Sequence, residues 1–190
     1  MRILVGCEES GTVRDAMREL GHEAYSCDLQ PDRNESPFHY QMDVFEAIEM
    51  NGGFWWDLII LHPPCTGLAC SGNRWYGKGK PKHAERLESI EWTMKLWDFA
   101  NAHCEMVCLE NPVGVLPIKP TQYIQPWEFG HGETKKTGLW LSGLVPLEPT
   151  DVVAGREQKC WKMGPSLNRK RDRSKTYIGI ARAMAAQWTE

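Results

Sequence analysis

No apolar run in this 190-residue chain approaches the ~18 residues that a membrane-spanning helix needs, and the chain holds no internal repeat or low-complexity tract. Charged residues make up 25% and hydrophobic ones 42%, a globular balance that argues against disorder as well as against a membrane span. A secretion signal is lacking too: MRILVGCEESG offers only a five- or six-residue apolar run before acidic residues, which suits a first strand. Seven cysteines, an odd number, in such a chain are expected to be reduced thiols in a cytoplasmic protein rather than a disulfide framework. Any one of them is then free to act as a nucleophile.

The length suffices for one full core and falls short of two ordinary domains, so residues 1–190 are read as one unit. Net charge is only −3, yet residues 156–175 hold eight Lys or Arg against Glu157 and Asp172, a local +6. That leaves −9 for the rest and points to an anionic partner at the C-terminal region, the bland alternative being a solvated basic loop.

Ile3 to Val5 begin a buried strand, and Val13, Met17 and Leu20 are spaced as one face of a helix that Gly21 ends. His22 to Cys27 read as a second strand closing at Asp28, and Asp43 to Ile48 as a short helix. Trp56 to Leu61 is the most apolar strand, and His62-Pro63-Pro64-Cys65 stops it because proline cannot donate to a sheet ladder. The Gly-rich, basic segment 66–82 reads as a mobile loop, followed by a helix with Leu87, Ile90, Met94 and Trp97 on its apolar face. Glu105 to Leu109 form a strand ending at Glu110-Asn111-Pro112, Thr137 to Leu141 a later one, and Ile178 to Trp188 a final helix. Strands alternating with helices predict an α/β fold, a mainly parallel sheet with helices on both faces. Ligands then belong at the carboxyl ends of the strands, where Asp28, Cys65 and Glu110 all fall.

The turn Gly6-Cys7-Glu8-Glu9-Ser10-Gly11 lets backbone approach a ligand at a helix N-terminus, and an acid closing the second strand suits two ribose hydroxyls. The full G-x-G-x-x-G pattern is absent, and Glu8 and Glu9 would repel a pyrophosphate. A cationic, phosphate-free cofactor such as S-adenosylmethionine therefore fits better than a dinucleotide. Cys65 follows two stiff prolines and would be a nucleophile if positive charge lowered its pKa, its bland reading being a buried structural cysteine. Glu110 at the sheet rim is expected to have its pKa raised by partial desolvation, so that it donates a proton to a ring nitrogen, unless it merely caps a loop. Asn111 is expected to fix the adjacent chain by side-chain hydrogen bonds.

Pro63-Pro64-Cys65 and Glu110-Asn111-Pro112 resemble the Pro-Cys and Glu-Asn-Val motifs of cytosine-5 methyltransferases, in the same order and after two strands. The resemblance extends to the Gly6–Gly11 turn, to Asp28, to Asp43-Val44 and to Thr176-Tyr177-Ile178-Gly179-Ile180-Ala181, and the compact form is similar to small methylase-like proteins of bacteriophages and prophages. It implies a Rossmann-like class I S-adenosylmethionine-dependent methyltransferase fold. It also implies a cofactor site of Gly6, Cys7, Glu8, Ser10, Gly11, Asp28, Leu29, Asp43, Val44, His62, Pro63 and Thr176. Catalysis would fall to Cys65, adding to carbon 6 of cytosine, to Glu110, donating to N3, and to Asn111. Pro64, Trp75, Tyr76, Lys135, Lys136, Arg169, Lys170 and Arg171 would meet the substrate, with Trp75 and Tyr76 closing over an extruded base unless their segment is a plain surface loop.

The sequence departs from that family in three places. Thr66-Gly67 replaces the usual Gln after Pro-Cys, and no Gln-x-Arg-x-Arg segment is present, Lys135 and Lys136 being the nearest basic substitute. A short basic stretch, 145–175, stands in place of a large target-recognition domain, so specificity is low, borrowed from a protein partner, or unnecessary. DNA is the expected substrate, with RNA and a free cytosine nucleotide as alternatives. An amino-methyltransferase would carry an Asp-Pro-Pro-Tyr type motif at the same strand end. A zinc deaminase would need His-x-Glu before Pro-Cys-x-x-Cys, but His103-Cys104-Glu105 follows Cys65 and the Cys65–Cys70 spacing is wrong, so no metal is expected. Cys7, Cys27, Cys104 and Cys108 read as small buried residues on strands. A non-catalytic module that keeps the fold and binds nucleic acid or a protein is the remaining alternative.

Overall fold

A computed structural model of the chain describes residues 1–162, 164 and 173–190. Its centre is a seven-stranded sheet in the order β3-β2-β1-β4-β5-β7-β6. The strands are β1 (Arg2–Gly6), β2 (Glu23–Asp28), β3 (His39–Gln41), β4 (Leu58–Leu61), β5 (Val107–Pro112), β6 (Gln122–Ile124) and β7 (Thr137–Ser142). β1 to β5 run parallel, while β7 is antiparallel to both β5 and β6. The helices include α1 (Thr12–Glu19), α2 (Val44–Glu49), the one-turn α3 (Asn73–Tyr76), α4 (His83–His103), a further one-turn helix, Lys159–Lys162, and a C-terminal helix, Ile178–Trp188.

Side chains of a strand alternate between faces, and both faces here are apolar, as a sheet covered on both sides requires. Ile3, Val5, Leu58, Ile60 and Cys108 point to one core, where Val13 and Met17 of α1 meet Ile180, Ala181 and Met184 of the C-terminal helix. Leu4, Ile59, Leu61, Val107 and Leu109 point to the other, under Val44, Ala47 and Ile48 of α2 and Leu96 and Ala100 of α4. The expected α/β architecture with helices on both faces is what the chain adopts. No helix of the described residues is long and apolar enough to cross a membrane.

Several local expectations need correction. The short edge strands β3 and β6 carry no apolar alternation that would announce them; backbone pairing to β2 and β7 makes them strands. β5 does not stop at Leu109 but runs through Glu110, Asn111 and Pro112, because antiparallel β7 pairs with it residue by residue to Thr137. The buried face of α4 is Arg86, Thr93, Leu96 and Ala100, with Ile90, Met94 and Trp97 half-buried beside it and Leu87 55% exposed. Segment 66–82 carries the 3-10 turn Cys70–Gly72 and α3, and the buried Arg86 pins it by donating to the Gly67 and Ala69 carbonyls and to Asn73. Cys7 lies in a turn and Cys104 caps α4, so neither is on a strand.

One buried polar network braces the first half of the sheet. The Arg14 guanidinium, 1% exposed, donates to Ser26 Oγ at 2.9 Å and Asp32 Oδ2 at 2.7 Å, and its Nε to Asp15 Oδ1 at 2.7 Å. Burial alone would raise the Asp32 carboxyl, but Arg14 and the N–H groups of Ser36 and Asn34 outweigh it and hold it below the ordinary carboxylate range. The stabilisation is therefore present at neutral pH and is lost as pH falls through the depressed Asp32 value. Arg14→Met strands a buried carboxylate and is expected to cost about 3 kcal/mol, lowering the melting temperature by roughly 6 to 12 °C in calorimetry at pH 7. The gap between variant and parent should narrow in strong acid.

Candidate active site

The strand order reverses between β1 and β4: the chain first builds outward to β2 and β3, then crosses back to β4 and β5. In such sheets the crevice at the carboxyl end of that switch point is where ligands bind. Both strands end together there, Gly6 beside Leu61, and the His62 N–H donates to the Gly6 carbonyl at 2.9 Å. Only glycine fits at Gly6, since a Cβ would stand 2.7 Å from Val44 Cγ2 and 2.8 Å from Leu61 Cδ2. Val44 is buried in the core against Gly6.

Past Gly6 the chain turns through Cys7, a non-glycine residue in the left-handed region at φ 59°, a conformation that clusters at functional turns. The Glu8 N–H donates to the Cys27 carbonyl, which bends the turn toward the end of β2. Glu8 Oε1 accepts from the Val13 N–H at 2.8 Å and Oε2 from the Arg14 N–H at 3.3 Å, so this buried carboxylate caps α1. Ser10 Oγ lies 3.3 Å from Glu8 Oε1 and 3.1 Å from Thr12 Oγ1, within hydrogen-bond reach of both, and Glu9 pairs with Arg33 at 2.6 Å. A Cβ at Gly11 would collide with the Arg14 guanidinium, which accounts for glycine at its φ of 67°. Asp28 is half-buried at the end of β2, where burial and the Glu9 charge raise its carboxyl while the Gln30 N–H pulls it down. Beside it Leu29 stands 66% exposed, and Asp43 caps α2 through the Phe45 N–H at 2.8 Å.

The second half of the rim joins the two proline turns. Asn111, 1% exposed, donates from Nδ2 to the Pro63 carbonyl at 3.1 Å, tying the Cys65 turn to β5. His62 Nδ1 meets Glu110 Oε2 at 3.2 Å. Cys65 opens a turn whose carbonyl accepts from Leu68 and Ala69. The chains after both motifs then zip together, Ala69 bridging Gly114. At Gly114 a Cβ would lie 2.5 Å from the Leu68 carbonyl, so this close approach needs glycine. Pro63 is buried and Pro64 exposed. Two buried polar atoms here, His62 Nε2 and Asn111 Oδ1, have no hydrogen-bond partner among the described residues.

The electrostatics differ from what the sequence suggests. Burial pushes the Cys65 thiol up and the Glu110 charge adds to it, while Lys135 and Arg173 pull the other way without offsetting them. Burial would raise Glu110 too, but His62, Lys135 and Thr137 outweigh it, and its carboxyl lies below the ordinary range. The expected rise in the Glu110 pKa is therefore corrected: the resting pair is a thiol and a carboxylate, because partners recruited from β7 and from His62 overcome burial.

Of the expected substrate residues, Lys135 reaches this rim through its charge and donates to the Lys175 carbonyl at 3.2 Å. Lys136 lies over Tyr123 on the sheet edge, 4.3 Å from its ring centroid. Trp75 is 55% exposed on α3, and Tyr76 lies between Lys82 and Arg86. Thr176 is buried before the C-terminal helix, in a segment fastened by Tyr177 to Glu133 at 2.7 Å and by Gly179 N–H to His131 at 3.0 Å. Arg169, Lys170 and Arg171 lie outside the described residues. Among the described residues no group of His, Cys, Asp or Glu could hold a metal ion. Sequence reasoning missed Arg86 and Thr137; a lone arginine at a core position of α4 was a usable signal for the first, and nothing signalled the second.

No family model matches this chain, and no curated protein matches it.

Because the Glu110 charge helps hold Cys65 as a thiol, Glu110→Gln should lower the Cys65 pKa and speed its alkylation by iodoacetamide several-fold at pH 8. Peptide mass mapping separates this from the exposed Cys70, whose rate should not change.

Proposed function

We propose that the chain is an S-adenosylmethionine-dependent methyltransferase of Rossmann-like class I fold that modifies carbon 5 of cytosine, with Cys65 as nucleophile and DNA as the favoured substrate. The observation that carries this reading is the joint rim: the Asn111–Pro63 bond brings the Cys65 turn against β5, where Glu110 acts on Cys65. A nucleophile and a proton-handling carboxylate on one rim, beside a switch-point crevice, are the parts that addition to a pyrimidine ring requires.

The residues fit the cofactor. Asp28 suits ribose hydroxyls, exposed Leu29 offers apolar contact to a base, and Gly6, Cys7, Ser10 and Gly11 form the turn that lets backbone come close. Glu8 and Asp43 hold the turn and α2 in place rather than reaching outward, and His62 and Pro63 build the wall between cofactor and substrate. When bound, S-adenosylmethionine supplies a methyl group on a positively charged sulfur.

The chain's own part is the handling of one proton. As the Cys65 sulfur bonds to carbon 6, its proton passes to the Glu110 carboxylate and on to N3, which leaves carbon 5 electron-rich. After methylation a base takes the proton from carbon 5, the carbon–sulfur bond breaks, and the N3 proton returns through Glu110 to the thiolate. A resting thiol beside a carboxylate thus holds the proton that the addition consumes. Lys135, pulling on both groups, favours the ionic form of each, and the exposed Trp75 with Tyr76 on α3 suits a base taken from the stack.

A second reading, a non-catalytic module that binds nucleic acid or a protein partner, draws on the raised Cys65 thiol, which is a poor nucleophile at rest. Labelled methyl transfer to duplex DNA, single-stranded DNA, RNA and dCMP separates the two. Transfer to one of them, reduced at least about a thousandfold in Cys65→Ser, is the expected result. Cofactor binding without transfer to any substrate supports the second reading.

A further inference from the structure

Two helices present their N-termini to the crevice, and each is closed by a carboxylate of the chain itself. Glu8 fills the start of α1 with two backbone hydrogen bonds, and Asp43 the start of α2 with one. In nucleotide-binding folds the N-terminus of the first helix is where a phosphate sits, because its free N–H groups and dipole favour negative charge. Here those N–H groups are already taken by a side chain only 5% exposed, which solvent and ligand do not readily displace.

The local field points the same way. The Cys27 thiol beneath the crevice is pushed up to about 12, mostly by burial and further by the charges of Asp28, Asp43 and Glu8. The neighbouring cations are spent: Arg14 on Asp15 and Asp32, and Arg33 on Glu9. Among the described residues of this turn, a phosphate would meet carboxylates rather than free guanidinium groups or free helix N–H groups.

We propose that Glu8 is a specificity-determining residue: by occupying the N-terminus of α1 with its own carboxylate, it makes the crevice reject phosphate-bearing nucleotides while leaving it open to adenosine ligands without phosphate. The proposal rests on the adenosine-cofactor reading of the preceding subsection. It assigns to one side chain the choice between two ligand classes that the same fold can host. Glu9, equally acidic, has no such part, since it is held by Arg33 at the side of the turn.

The test is calorimetric titration of adenosine, S-adenosylmethionine, AMP and ADP into the parent protein and into Glu8→Ala and Glu8→Gln. The parent should bind adenosine and S-adenosylmethionine, with ADP at least about tenfold weaker than adenosine; Glu8→Ala should close that gap by about tenfold. Glu8→Gln keeps the shape of the plug without its charge and should close part of the gap, and it decides the matter if Glu8→Ala does not fold. Parent protein that binds ADP as well as adenosine, or a gap unchanged in both variants, overturns the proposal while the cofactor reading stands. Parent protein that binds none of the adenosine compounds overturns both.

Discussion

The rim that carries Cys65 and Glu110 stands on a restriction that proline places on β4. Pro63 and Pro64 have no N–H to give, so β4 ends at Leu61 while its neighbour β5 continues to Pro112 on the strength of β7 alone. Glu110 and Asn111 are therefore strand residues with no strand on one side. The gap that β4 leaves is filled by the His62 imidazole against Glu110 and by the Pro63 carbonyl against Asn111. Two stiff turns are thereby locked to each other by side chains, and the zip between Ala69 and Gly114 repeats the connection one layer further out.

The same geometry sets the charges. Extension of β5 carries Glu110 alongside the start of β7, where Thr137 and Lys135 stabilise its carboxylate, and that carboxylate in turn helps to keep Cys65 protonated. Burial by itself would drive both groups toward their neutral forms; specific partners decide which one stays neutral. A rim arranged in this way holds one proton between two groups, and the proposed addition to a cytosine ring draws on that proton.

Much of the architecture was legible because it depends on local signals. The apolar runs at Ile3 to Val5 and Trp56 to Leu61, the prolines at 63 and 64, and the final helix from Ile178 to Trp188 all read directly from pattern and backbone chemistry. Asp28 and Cys65 could be placed at strand ends for the same reason. What the pattern concealed was set by partners distant in sequence. The last residues of β5 are strand only because β7 pairs with them, and Arg86 faces inward only because the carbonyls of Gly67 and Ala69 wait there. The sign of the Glu110 shift follows from His62, forty-eight residues away, and from Lys135 and Thr137 on the far side of a hairpin. Glu8 shows the same limit: its acidity argued against phosphate from sequence, but only the fold shows that it, and not Glu9, closes the helix.

The central claim is that the Cys65 sulfur bonds to a cytosine ring, and the most direct measurement traps that bond. An oligonucleotide bearing 5-fluorocytosine cannot lose its carbon 5 substituent as a proton, so a covalent adduct accumulates in the presence of S-adenosylmethionine and survives denaturation. Mass spectrometry of the digested complex should find the modified ring on the peptide containing Cys65 and on no other cysteine peptide. Methyl transfer to ordinary cytosine without any such adduct, or an adduct on a different cysteine, would contradict the account.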